Sequence, residues 1–368
     1  MPRKAAQAAK AESSVVTIYD VAKHAGVSAM TVSRVINKNV NVREPLRERV
    51  MASIKALNYS MNMAAKATRA GVGGLRIGIL YSNPSASFLN EILVGSLEEA
   101  SRLGGQLLLE KCSGLPSQKT AMKRLMDQGI DGVILPPPLC DSEPTIHMLT
   151  KAGIPVLALA TGAPLRNVSA VHIDDYQGAL AMTRHLIRLG HTRIAFIKGA
   201  PQHTPAARRF DGYCAAMTEK GLPIDPRMVV EGDFTYQSGL AAAETLFQLE
   251  HRPTAIFASN DDMAAAVIAV AHGYRIPIPD SLSVCGFDDT PVASTIWPQI
   301  TTIHQPIVAM GRSAVSTLFE KIREIKAGKP AQPRQITMKF ELRERGSSGP
   351  SPDLKLIRGA GSGGVLPR

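Results

Sequence analysis

Between Ser28 and Ile36 the sequence SAMTVSRVI places a hydroxyl, several small or polar residues and one guanidinium on a segment whose apolar residues recur at helical spacing. Val32, Val35 and Ile36 fall three and four positions from their neighbours and would face a core. Ala29, Met30, Thr31, Ser33 and Arg34 are left on the other side or at its margins. That outer side has the chemistry of base reading, because a helix fits the major groove and an arginine on it can donate to guanine O6 and N7 together. Arg34 is the expected reader, with Ala29 and Met30 set against a thymine methyl or excluding other base pairs. Thr17, Tyr19, Ser28, Thr31, Ser33 and Asn37 offer polar groups to phosphate oxygens, contacts that set register and carry little sequence information.

Such a segment needs a scaffold, and the preceding residues spell one. Thr17 and Asp20 stand three apart as a capping pair, so a helix is expected to begin there, with Val21, Ala22 and Ala25 on its apolar face. Gly26 supplies the backbone freedom for a tight turn, and Ser28 caps the next helix. The charge agrees with this placement. Residues 1–74 hold twelve Lys/Arg against four Asp/Glu, residues 75–342 hold 25 against 25, and residues 343–368 hold five against two. A basic head on a neutral body suits a segment that docks on phosphates. A solvated basic face on a three-helix packing unit is the plainer account of the same charges.

The rest of the 368 residues lack the spacing that catalysis would need. Asp261, Asp262, Asp288, Asp289, His191 and His304 lie on separate segments, without metal-ligand spacing, a nucleophile elbow or a phosphate loop. Cys112, Cys140, Cys214 and Cys285 are widely separated and read as reduced core residues. No cofactor is expected. No apolar run is long enough to span a bilayer, and MPRKAAQAAKAESS lacks the apolar stretch of a secretory leader, so the expected location is the cytoplasm, with no membrane partner. From Leu75 onward, the short apolar runs LRIGIL, QLLLE, GVILP, PVLAL, VHID, RIAFI, AIFA and SVCGF alternate with amphipathic stretches at 91–103, 176–189, 206–220, 237–249 and 262–272. This pattern predicts parallel strands joined by helices, in two α/β lobes given some 270 residues. ITMKFEL reads as an edge or final strand. Residues 1–16 read as a disordered basic arm, 17–62 as the helical headpiece, 63–74 as a linker, 75–345 as the core and 346–368 as a flexible tail.

TIYDVAKHAGVSAMTVSRVIN resembles the N-terminal signature of the LacI/GalR family of bacterial repressors. LGHTRIAFI, RRFDGY, SNDDMA, CGFDDT, PQITTIHQP and ELRERGSS continue the resemblance in the family's order. The resemblance implies an all-α helix-turn-helix headpiece and a two-lobed, periplasmic-binding-protein-like α/β core. It implies a homodimer on a near-palindromic double-stranded operator, controlled by a small effector. It also implies a hinge helix, here around Ala65 and Thr68, that enters the minor groove. In the family a Y-x-P-N sequence precedes this hinge and a leucine follows six residues after the Asn; this chain has Tyr59-Ser60-Met61-Asn62 and Thr68. Threonine is the poorer wedge between base pairs, because it offers less apolar surface and must desolvate a hydroxyl. Arg43 stands where Ser or Thr usually caps the third helix.

For the effector, the resemblance implies contacts from Arg209, Asn260 and Asp288, packing by Phe234, and a first-lobe side formed by Ser82 and Phe88. A guanidinium, an amide, a carboxylate and an aromatic face suit a polyhydroxylated ligand, so a carbohydrate or derivative is expected. Ala160 replaces a polar residue common in sugar-binding relatives. Architectural roles stand beside this reading: Asp288 with Asp289 as a helix cap, Asn260 shaping a turn, Phe234 in the core. A transport-type sugar-binding protein would fit the core alone, and the headpiece and missing leader argue against it.

Overall fold

The computed structural model describes residues 18–36, 43–57, 74–82 and 85–353. They fall into two compact units divided after residue 73. The first contains helices α1 (Ile18–Ala25), α2 (Ala29–Ile36) and α3 (Glu44–Ala56). Gly26 adopts φ +63°, which lets Val27 N–H reach back to the Ala22 carbonyl at 3.0 Å and close α1. Ser28 Oγ then accepts from Thr31 N–H at 3.2 Å and opens α2. Val21, Val32 and Val50 are fully buried where the three helices meet, together with Ala22, Ala25 and Val35. His24 Nδ1 and Ser53 Oγ, 3.0 Å apart, tie α1 to α3. Arg43 precedes α3 without any side-chain cap bond, and Pro45 in the first turn favours the helix start instead.

The second unit is α/β. Strands β1 (Arg76–Tyr81), β2 (Gln106–Lys111), β3 (Gly132–Leu135), β4 (Val156–Leu159), β5 (Ser169–Ile173) and β11 (Gln335–Met338) form one sheet in the order β11-β5-β4-β3-β1-β2. Every pairing in it is parallel. Strands β6 (Ile194–Ile197), β7 (Val229–Val230), β8 (Ala255–Ala258) and β9 (Ser283–Cys285) form a second parallel sheet in the order β7-β6-β8-β9. A small antiparallel pair joins β10 (Thr302–His304) to β12 (Glu341–Arg343). Each of the eight apolar runs contains or overlaps a strand, and β3, β4, β6 and β8 are buried throughout, as strands covered on both faces must be. ITMKFEL is divided: β11 edges the first sheet, and β12 crosses to pair near the second.

The helices are α4 (Ala86–Arg102), α5 (Gly114–Asp127), α6 (Glu143–Lys151), α7 (Asp175–Arg188), α8 (Thr204–Glu219), α9 (Tyr236–Phe247), α10 (Asp261–Gly273), α11 (Val292–Thr295) and α12 (Ile307–Lys326). Apolar spacing marks where a helix is buried, whereas caps fix where it starts. Side chains of Ser85, Asp174, Thr235 and Asn260 accept from Phe88, Gln177, Ser238 and Met263 N–H, which sets α4, α7, α9 and α10 one to five residues ahead of the periodic stretches. α4 packs on α12 beside the first sheet, and α7 on α8.

The C-terminal boundary departs from expectation. Residues 346–353 are packed rather than loose, with Ser347 and Ser351 fully buried. β9 is an edge strand, and its Val284 N–H donates to the Ser347 carbonyl at 2.8 Å while Ser351 N–H donates to the Leu189 carbonyl at 2.8 Å. Gly/Ser-rich composition signals a free chain only where no sheet edge needs partners. The arm at 1–16 and the tail beyond 353 lie outside the described residues.

Candidate functional site

On α2, Met30 is 65% exposed while Val32 and Val35, on the opposite side of the helix, are buried. Arg34 is exposed, and Ala29, Thr31 and Ser33 are half-buried along the margins of the same face. The hydroxyls of Ser28 and Thr31 lie 2.9 Å apart, so the cap that starts the helix also fixes both. The helix thus keeps an apolar seam for α1 and α3 and turns a surface of one guanidinium, one thioether and small groups outward. Thr17, Asn37, Ala65, Thr68 and the Tyr19 side chain lie outside the described residues.

The second site lies in the α/β unit, where parallel strands of both sheets end. Ala160 follows β4, Asn260 follows β8, Asp288 lies beyond β9, Ser85 and Phe88 open α4, and His203 precedes α8. With Arg209 and Phe234 they surround a cleft of about 390 Å³, part of it open to solvent. Ends of parallel strands gather loops and free helix N-termini, which is why ligands settle there in open α/β sheets.

Arg209 organises the floor. It is 5% exposed, its Nε donates to Asp175 Oδ1 at 2.8 Å, and its Nη1 donates to the Ser259 carbonyl at 2.5 Å. Nη1 also lies 3.3 Å from Asp288 Oδ1, which accepts from Gln305 Nε2 at 2.6 Å. The guanidinium stacks over the Phe287 ring, 3.7 Å from its centroid. Two buried carboxyl groups therefore share one cation. Burial pushes the Asp288 carboxyl up to about 7 against the pull of Arg209 and the Gln305 hydrogen bond, with Asp175 and Asp262 pushing the same way. Burial raises Asp175 too, with Arg209 opposing.

Three lining residues hold left-handed backbone: Ala160 at φ 54°, Phe234 at φ 70° and Asp288 at φ 108°. Such conformations cost about 1–3 kcal/mol each and persist where surroundings over-determine them. Phe234 shows how. Asn260 Nδ2 donates to its carbonyl at 2.9 Å, and the ring lies against Gly199, where any Cβ would come within 2.0 Å of Phe234 Cζ.

The two lobes are bridged on either rim. Asp262, at the start of α10, accepts from Ser85 Oγ at 2.8 Å and Ser87 Oγ at 3.1 Å. Asp141, after β3, accepts from Thr161 Oγ1 at 2.5 Å and from Thr204 Oγ1 at 2.8 Å, and Gly162 N–H donates to Thr204 Oγ1 at 2.7 Å. Both bridges join residues of the first-sheet lobe to residues of the second.

Of the cleft residues expected from sequence, Phe88, Arg209, Phe234, Asn260 and Asp288 converge here. Ser82 is not among the described residues that line the cleft: β1 ends at Tyr81, and on this side Ser85, the cap of α4, lines it. The architectural alternatives hold in part, since Asn260 Oδ1 caps α10 by accepting from Met263 N–H at 3.0 Å and Phe234 belongs to the second lobe's core. Asp175, His203 and Gln305 were missed. Asp175 stands in the acidic pair of HIDDYQG and Gln305 in PQITTIHQP, both legible as polar residues ending apolar runs; nothing in sequence singles out His203. The scattered acids and histidines have structural partners. Asp261 accepts from Thr290 N–H at 2.8 Å and Thr302 Oγ1 at 2.6 Å, and Asp289 pairs with Arg343, Arg345 and His304. His191 bridges Thr254, Ser283 and the Gly349 carbonyl.

Comparison with known proteins places both units. Residues 17–62 match bacterial regulatory proteins of the lacI family, and residues 183–348 match a periplasmic binding protein-like domain. The chain is 35% identical to the HTH-type transcriptional regulator DegA of Bacillus subtilis over 91% of its own length and 98% of that protein's. Among solved structures it is similar to a transcriptional regulator CelR–cellobiose complex, at 31% identity and TM-score 0.69 over 90% of this chain and 100% of that one. It is also similar to the Lac repressor dimer bound to operator and the anti-inducer ONPF, at 28% identity and TM-score 0.76 over 91% and 99%.

Proposed function

The chain belongs to the lacI family of bacterial regulatory proteins, and from that premise we propose that it is a homodimeric repressor of a near-palindromic operator, released or tightened by a carbohydrate effector. It is a DNA-binding transcriptional regulator with an effector-binding domain, as its relatives are, and not an enzyme. It acts in the cytoplasm, where a regulator meets its operator DNA.

One observation carries the reading: an exposed, arginine-bearing helix face and a buried polar cleft occupy separate compact units of one chain. Arg34 reads a base pair, Ala29 and Met30 line the groove, and Ser28, Thr31 and Ser33 meet phosphates. Thr17, Tyr19 and Asn37 extend the phosphate contacts, and Ala65 and Thr68 belong to the hinge. In the cleft, Arg209, Asn260 and Asp288 meet hydroxyls, and Phe88 and Phe234 cover C–H faces. CelR in its solved complex holds cellobiose, which favours a sugar here. A ligand that spans the cleft adds contacts parallel to the Asp262 and Asp141 bridges and so biases the lobes toward their closed relation. Selection from random double-stranded DNA tests the reading. An enriched inverted repeat whose affinity shifts on adding a sugar supports it, and failure to enrich any sequence contradicts it.

A further inference from the structure

We infer that the cleft selects an uncharged ligand over an anionic one, and that His203 is the side chain that recognises one of that ligand's hydroxyls; this rests on the effector reading above. His203 is 3% exposed and lines the cleft, and its Nε2 has no hydrogen-bond partner in the protein. Buried polar atoms are almost always paired, so an orphan at the wall of a cleft points to a missing group. The ring is held in place. Its residue precedes α8, whose first residue Thr204 is fixed by Asp141 and Gly162, and its centroid lies 5.1 Å from that of Phe234.

Burial pushes the imidazole down to about 4, with Arg209 acting the same way and Asp141 opposing. The ring is therefore neutral at physiological pH, presenting either an N–H or a lone pair at Nε2. A hydroxyl satisfies both tautomers, because it donates and accepts. A phosphate or carboxylate oxygen satisfies only one.

Charge points the same way. Among the described residues, Arg209 and His203 are the only basic ones lining the cleft, against Asp175 and Asp288. The guanidinium is already committed to Asp175, the Ser259 carbonyl and Asp288. An arriving anion would meet two acidic side chains in the shell of one occupied cation, with no uncommitted positive charge to receive it. An uncharged polyol meets an oxygen of each carboxylate not engaged in those bonds, the His203 nitrogen, and aromatic carbon at Phe88 and Phe234.

The test uses the full-length chain in calorimetric titrations against a panel of neutral pentoses, hexoses and disaccharides, with their phosphates and hexuronates as matched anions. The expected result is that at least one neutral sugar binds, with its phosphorylated or carboxylated counterpart weaker by about tenfold or more. His203→Phe, which keeps an aromatic ring and removes the nitrogen, should weaken that sugar by about five- to twentyfold, and His203→Gln should recover part of the loss. A phosphate or uronate that binds better than its neutral parent overturns the charge selection. Equal affinity for wild type, His203→Phe and His203→Gln overturns the role of His203. A wild-type protein that enriches an operator yet binds no neutral sugar overturns the inference and leaves the regulator reading standing; one that enriches no operator defeats that parent reading instead.

Discussion

Asp288→Asn separates two descriptions of the cleft floor, a neutral carboxyl kept in the dark of the protein and an ion paired with Arg209. The side chain is 4% exposed as a residue, and burial lifts its carboxyl from the ordinary 3.8 to about 7. A carboxyl raised on folding binds its proton more tightly in the native state. Its contribution is complete below the unfolded value and is lost as pH climbs to the folded one. For one proton the slope is about 1.4 kcal/mol per pH unit, so from pH 5 to pH 7 wild type should lose about 2–3 kcal/mol from this group. Asparagine keeps an Oδ1 to accept from Gln305 and does not titrate. Wild-type stability minus that of Asp288→Asn should therefore fall by about 2–3 kcal/mol between pH 5 and pH 7 and level off above pH 8. Shared groups cancel in the difference, including His185, His191 and His203, which burial pulls down. Urea melts of both proteins at pH 5, 6, 7 and 8, followed by far-UV circular dichroism, measure it; the sole tryptophan, Trp297, is 82% exposed and a poor reporter. A difference that is flat, or that moves against asparagine as pH rises, would refute the buried-neutral description in favour of the ion pair.

Arg34→Ala should cost about 1–3 kcal/mol of discrimination at one base pair, read by competitive binding to operators substituted at each position. Unchanged preference at every position would show that another residue reads the base. Asp262→Ala removes both cross-cleft bonds to Ser85 and Ser87; hydrogen bonds to a charged acceptor are worth about 1.5–3 kcal/mol, so effector affinity should fall roughly fivefold or more as the lobes open, with small-angle scattering showing a larger radius. Unaltered scattering and affinity would mean the bridge does not hold the lobes. Gly199→Ala puts a methyl 2.0 Å from Phe234 Cζ, so the ring must leave its place and sugar affinity should drop about tenfold or more in calorimetry; wild-type affinity would show that Phe234 does not pack on the ligand.

Much of the fold is legible because burial leaves a periodic trace. Parallel strands covered on both sides read as unbroken apolar runs, and Val21, Val32 and Val35 announce the headpiece core by spacing alone. Helix starts are less legible, since Ser85, Asp174, Thr235 and Asn260 act through single side-chain bonds that periodicity does not register. Composition misleads at 346–353, where a tail rich in glycine, serine and proline covers the edge of β9. In the cleft, motif resemblance names Arg209, Asn260 and Asp288, which line it, and on the first-lobe side Ser82, where Ser85 is the lining residue. It also misses Asp175 and His203, whose roles arise only when segments far apart in sequence meet around one guanidinium. A lone histidine carries no sequence mark of an unpartnered nitrogen.

Coupling between the helix face and the cleft is most directly measured as a closed thermodynamic cycle. Operator affinity is titrated with and without the sugar found to bind, and sugar affinity with and without operator. Linkage requires the two ratios to agree, and a factor of about 5–150 is the ordinary range for such coupling. A common factor well away from one is the predicted result; a sugar that binds Arg209's cleft with the same affinity whether or not operator is present would contradict the account.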